Sequence, residues 1–194
     1  YDRVLRIGYE QIEPEDLELL GGLLGLNEVQ IGALYMFHRR LGAGWIERVL
    51  ADEPDPQVQD LIDHGQVQDV TFDAVRRRLQ RLGRMDFLVS GKGDDCVEDL
   101  FHRLNKPSSV VLEFGKHGTN LAAYLLVANF ITRRLHQRYV RQMDLAAGKR
   151  GDEPKPLVIV IEEAHKFLDP KVSSDTIFGT IAREMRKYRV TLLI

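Results

Sequence analysis

The chain has 194 residues, 44% hydrophobic and 29% charged, with a formal net charge of −2. That length and balance can furnish the core of an ordinary globular fold and exclude a disordered or fibrous chain. One cysteine, Cys96, excludes an internal disulfide framework. No apolar stretch is long enough to span a bilayer and no signal peptide is visible, so the expectation is a cytoplasmic protein with no membrane partner. The small net charge gives no global case for nucleic acid, and any such surface has to be local.

In chain order, Arg3 to Tyr9 alternates Val4, Leu5 and Ile7 with polar neighbours, which predicts a short strand. Ile12-Glu13-Pro14-Glu15-Asp16 then opens a helix, with proline near its first position and acids in its first turn. From there to about Leu104 the periodicity is helical, with candidates at 28–41, 45–51, 56–64, 72–82 and 95–104. Gly21-Gly22, Gly42, Gly44 and Pro54 punctuate them. Arg76-Arg77-Arg78, Arg81 and Arg84 are spread around the helix at 72–82, so they need not form one patch. Phosphate contacts require only such side chains within reach, but solubility and inter-helix ion pairs are the commoner use.

Ser108 to Phe114 predicts a return to strand, followed by a long helix over 120–143. Leu121, Tyr124, Leu125, Ala128, Ile131 and Leu135 line one face of that helix, and Arg133, Arg134, Gln137, Arg138 and Arg141 crowd the other. A polar loop over 149–155 leads into Pro-Leu-Val-Ile-Val-Ile-Glu-Glu-Ala-His, residues 156–165. A non-alternating run of β-branched and leucine side chains predicts a strand buried on both faces. Carboxylates at its C-terminal edge sit where open α/β sheets bind ligands. There Glu162 can hold Mg²⁺ through water and Glu163 can orient an attacking water. A loop with Pro170 follows, then Ser173 or Ser174 as a cap and a helix over 175–188 with Ile177, Ile181, Met185 and Tyr188 at helical spacing. Val190 to Ile194 is a second buried strand, which completes a β-α-β unit.

This unit resembles the Walker B half of the HerA/FtsK group of hexameric P-loop motors. The nearest pattern is that of the HerA-like ATPases: an apolar run, Asp-Glu-Ala-His, a helix bearing Arg-Glu-Gly-Arg-Lys-Tyr-Gly, and an apolar strand. Here the segments read Ile-Glu-Glu-Ala-His and Arg-Glu-Met-Arg-Lys-Tyr-Arg. Glu162 stands where the family usually has Asp, and Met185 and Arg189 stand where it has glycine. The resemblance covers about the last forty residues closely and implies an α/β fold: a RecA-like P-loop NTPase core, mostly parallel sheet, with a large α-helical insertion. Residues 1–12 would be a strand and linker of the core, 13–105 the insertion, and 106–194 the core with Walker B.

The resemblance also implies ATP and Mg²⁺ as cofactors, with Glu162 binding the metal through water, Glu162 and His165 on the nucleotide side, and Glu163 polarising water. An arginine given in trans would complete the site, Arg186 first and Arg183 second. Alternatively, Arg183 pairs with Glu162 or Glu184, Arg186 suits the helix C-terminus, and His165 is structural. The implied partners are further copies in a homo-oligomeric ring, a hexamer by resemblance, double-stranded DNA, and a nuclease or defence effector. No Gly-x-x-x-x-Gly-Lys-Ser/Thr occurs. Ser90-Gly91-Lys92-Gly93 and Gly115-Lys116-His117-Gly118-Thr119 lack its spacing, so the expectation is a phosphate loop ahead of Tyr1 in a longer chain. Two other classes stay open: a superfamily-two helicase with an Asp-Glu-Ala-His-like box, and a non-catalytic assembly subunit weakened by glutamate at 162.

Overall fold

A computed structural model describes residues 3–53, 55–149, 151–162 and 188–193. The chain forms two compact units, residues 1–96 and residues 97–194. The first is helical. After a two-residue strand β1 (Ile7–Gly8) and a 3-10 turn at Tyr9–Gln11 come α1 (Pro14–Glu18), α2 (Gly21–Leu24), α3 (Glu28–Leu41), α4 (Trp45–Leu50), α5 (Pro56–Asp63) and α6 (Asp69–Leu79). A 3-10 turn at Gln80–Arg84 leads to β2 (Leu88–Val89), which pairs parallel with β1, Ile7 opposite Leu88.

Local chemistry sets these ends. Asn27 and Gln30 exchange side-chain and main-chain hydrogen bonds of 2.9 and 3.1 Å, a reciprocal cap that starts α3 at Glu28. Gly42 follows Leu41 at φ 75°, a conformation cheap only for glycine, and the helix stops. Asp55 caps α5 by accepting from Gln57 N at 2.9 Å, with Pro56 at the first helical position. Around them Leu17, Leu20, Leu34, Phe37, Trp45 and Ile46 are fully buried. The indole of Trp45 donates to the carbonyl of Ile12 at 3.0 Å, satisfying its one polar atom inside the core.

The second unit opens with α7 (Cys96–Leu104). After a 3-10 turn at Gly115–His117 it runs through α8 (Leu121–Ala147) and ends in β3 (Leu157–Val160) and β4 (Val190–Leu193). β3 and β4 pair parallel from Leu157 opposite Val190 to Val160 opposite Leu193. Arg138 of α8 grips Glu98 of α7 with two hydrogen bonds of 3.1 and 2.9 Å and lies 4.6 Å over the ring of Phe101. That arginine of the polar face is therefore structural.

Several expectations change. The strand over 3–9 shrinks to Ile7–Gly8, because Gly8 N turns to donate to the Gln11 side chain at 2.8 Å and the 3-10 turn begins. The helix predicted over 72–82 starts at Asp69 and gives way to a 3-10 turn at Gln80. Ser108 to Phe114 forms no strand. It has no ladder partner among the described residues, and Val110, Val111 and Leu112 are exposed. The buried face of α8 is broader than the predicted one: Leu125, Ile131 and Leu135 are buried as expected, Leu126, Val127, Phe130 and Tyr139 are buried as well, and Leu121 is exposed. The described residues thus hold two separate two-stranded parallel sheets in a helix-rich chain, and do not outline the many-stranded RecA-like core expected from the sequence.

Candidate functional site

The two acids predicted from the sequence follow β3. The ladder holds this edge at both ends: Leu157 N donates to Arg189 O at 2.9 Å, and Ile161 N donates to Leu193 O at 3.0 Å. Side chains alternate across it. Leu157 and Val190 are 7% and 2% exposed, whereas Val158, Val160 and Leu193 are more than half exposed. Burial on both faces, expected from the unbroken apolar run, holds here for one face only, because nothing among the described residues packs on the other.

Glu162 comes immediately after Ile161, in a turn, and its side chain is exposed. Its carbonyl accepts the hydroxyl of Tyr124, in the first turn of α8, at 3.0 Å. The Tyr124 ring packs against Phe114, centroids 4.3 Å apart and planes tilted by 51°. Asn120 caps the same helix by accepting from Ala123 N at 3.2 Å. The backbone that carries Glu162 is thus fixed from the sheet and from α8, while its carboxylate remains accessible. A carboxylate so placed can take a hydrated divalent cation, because an exposed oxygen ligand need not shed the ion's water.

Of the predicted site residues, Glu162 lies within the described part. Glu163, His165, Arg183 and Arg186, with most of the helix over 175–188, lie outside it. Tyr188 is described, its ring 5.7 Å from that of His136. The residue that sequence reasoning missed is Tyr124. On an apolar helix face a tyrosine reads as core, and only the fold reveals that its hydroxyl ends at the acidic loop.

The two glycine-lysine segments are not equivalent. The carboxylate of Glu47 accepts from the hydroxyl of Ser90 and, at 3.1 Å, from Gly91 N. Gly91 O accepts from Glu10 N at 3.2 Å, and a Cβ on Gly8 would come within 2.0 Å of Gly93 N. The Ser90–Gly93 loop is therefore a closure packed on β1, with a carboxylate where a phosphate would need donors. Gly115-Lys116-His117-Gly118-Thr119 instead forms the turn into α8, with Gly115 at φ 49°.

Among the described residues, Tyr9, Tyr139 and Asp55 have displaced acidities. Burial and then the charge of Glu47 push the Tyr9 phenol up, and burial pushes up Tyr139. The hydrogen-bonded guanidinium of Arg48 holds Asp55 below the usual carboxylate range. None of the helices among the described residues is long and apolar enough to cross a membrane.

Residues 1–135 match the family described as Helicase HerA, central domain. The match takes in the first unit and α7 and runs into α8, ending short of β3. The acidic motif and the matched span therefore do not overlap. No curated protein and no solved structure matches the chain.

Proposed function

The chain belongs to the HerA helicase central-domain family, whose fold is that of P-loop NTPases, and from that premise we propose that it is the ATP-hydrolysing part of a DNA translocase. In this reading residues 106–194, with the strand at 1–12, contribute to a RecA-like core, and residues 13–105 are its helical insertion. The supporting observation is the exposed Glu162 at the C-terminal edge of a parallel strand pair, its main chain tied down by Tyr124. Nucleotide-hydrolysing α/β proteins place their metal-binding acid at such an edge. Membership over residues 1–135 favours this reading over a superfamily-two helicase.

The chemistry asked of each residue is modest. Bound Mg²⁺ supplies charge neutralisation at the phosphates, and Glu162 would hold it through water. Glu163 accepts a hydrogen bond from the attacking water and orients it in line with the terminal phosphate. Arg186 or Arg183, reaching from a neighbouring copy, meets the charge that develops on the transferred group. His165, which follows the acids in the motif, is assigned to the nucleotide side by the family resemblance. The protein then acts as a ring on duplex DNA, six copies by resemblance, with a nuclease or defence effector as partner.

A Glu163→Gln variant tests the assignment. Loss of a positioned base lowers turnover by roughly 10²-fold or more, while magnesium-dependent ATP binding survives. Retained hydrolysis would remove Glu163 from this role. Mixing Glu163→Gln with Arg186→Ala protein tests the arrangement in trans. Some interfaces in a mixed ring carry both native residues, so activity returns on mixing. If Arg186 acts within its own subunit, or has no role in turnover, no recovery follows.

A further inference from the structure

Arg77, Arg78, Gln80, Arg81 and Arg84 line one depression of about 310 Å³ at the end of α6 and the turn that follows. The lining holds four guanidinium groups and no acid. Arg77, Arg81 and Arg84 stand at i, i+4 and i+7, so helical spacing already places them on one face. The α-helix passes into 3-10 geometry at Gln80, within this run.

Two of the four are held in place without being neutralised. Arg78 Nε donates to Gly25 O and Arg81 Nη1 to Leu24 O, each at 3.3 Å, at the C-terminal end of α2. A carbonyl fixes a guanidinium but leaves its charge intact. None of the four forms an ion pair with a described acid. Arg76 differs: it donates to Ala51 O at 2.7 Å and lies 3.7 Å from the Asp52 carboxylate.

Four like charges at one depression repel one another, and an anion relieves that repulsion. One small anion cannot engage four guanidinium forks that converge from different backbone positions, whereas a chain of regularly spaced phosphates can. We infer that this depression of the helical unit binds the phosphodiester backbone of nucleic acid. Arg78 and Arg81 form its preorganised floor, and Arg77 and Arg84 are exposed arms. The DNA-translocase reading supplies the identity of the polyanion, but the site is independent of ATP hydrolysis.

The test is binding of a fluorescein-labelled 30-base-pair duplex, followed by anisotropy across a salt series, for the wild-type chain and for Arg77→Gln/Arg84→Gln. Each phosphate contact contributes about 0.9 to the slope of log K against log salt. The double variant is expected to lose roughly two units of slope and to bind at least about tenfold more weakly. Arg77→Lys/Arg84→Lys restores most of the slope because it keeps the charge, and an unchanged thermal melt excludes misfolding. Wild-type affinity and slope in the glutamine variant would overturn the site and leave DNA to another surface. Tripolyphosphate is the second probe. If it binds through Arg77 and Arg84 while duplex does not bind wild-type protein, the assignment to nucleic acid is overturned. Binding of neither removes both. Loss of ATPase activity alone bears only on the proposed catalytic role.

Discussion

Arg189 has φ 61°, the left-handed region where a side chain costs about 1–2 kcal/mol and glycine costs nothing. It stands where HerA-like ATPases carry glycine, immediately before β4. The ladder explains why the geometry persists: Arg189 O accepts from Leu157 N, so relaxing the turn would break the first rung of the sheet. The ion pair of Arg189 with Glu153 offsets part of the strain, but the two side chains are about half exposed, and such pairs contribute about 0–1 kcal/mol. Arg189→Gly should therefore leave stability unchanged or raise it by up to about 1 kcal/mol. Arg189→Val should lower it by at least about 1 kcal/mol, because β-branched side chains fit this region worst. Chemical denaturation of the two variants checks the sign of each. Tyr124→Phe probes the other residue-scale contact. It removes one hydroxyl from an exposed hydrogen bond, worth at most about 1 kcal/mol, so the melt should fall by no more than about 2–4 °C. A roughly tenfold fall in ATP turnover is expected if that bond positions the acidic loop. A turnover equal to wild type would reduce Tyr124 to a packing role.

Elements are held by caps and by one-sided burial, and each leaves a measurable trace. Asp55 caps α5 and receives two hydrogen bonds from Arg48, at 2.7 and 2.9 Å. Its carboxyl is held below the ordinary value of 3.8. A carboxyl lowered in the folded state contributes stability that is present above its unfolded value and is lost as pH falls through the folded one. Asp55→Asn keeps the cap but removes the charge, so its melting temperature should vary less steeply below about pH 4 than that of wild type. Equal slopes would deny the Arg48 pair any share in acid stability. In β3 the alternation decides the outcome: Leu157→Ala should cost about 2–3 kcal/mol, and Val160→Thr within about 0.5. The predicted bounds of α3, 28–41, hold to the residue: the periodic run and Gly42 are legible in the sequence, and the structure adds the reciprocal cap at Asn27. The sequence foretold β3 and β4 from their apolar runs. It could not foretell that Val110 to Phe114 has no ladder partner among the described residues, since pairing depends on residues distant in the chain. The arginines are legible only in part: Arg77, Arg81 and Arg84 at i, i+4 and i+7 share one side of a helix, but the anchoring of Arg78 and Arg81 on the end of α2 depends on packing that spacing does not encode.

At the scale of the whole molecule, residues 1–96 have the attributes of an independently folding unit. Their two ends meet: β1 pairs with β2, Asp94 N donates to Arg6 O at 3.2 Å, and the Gln11 amide donates to Asp94 O at 3.2 Å. Between those ends lies a complete core around Trp45, Phe37 and Leu34, all fully buried. A chain segment with its own core and closed termini folds without its neighbour, and about a hundred residues are enough for a cooperative transition. Expressed alone, residues 1–95 should give a helical far-ultraviolet spectrum and a sigmoidal thermal melt. A helical signal that declines without a transition would mean that this core needs the second unit. The same fragment separates the two proposed activities. It carries Arg77, Arg78, Arg81 and Arg84 but none of Glu162, Glu163, Arg183 or Arg186. It should therefore bind duplex DNA with nearly the salt dependence contributed by the arginine depression, and should hydrolyse no ATP. A fragment that folds cooperatively but ignores DNA would move nucleic-acid recognition out of the helical unit altogether.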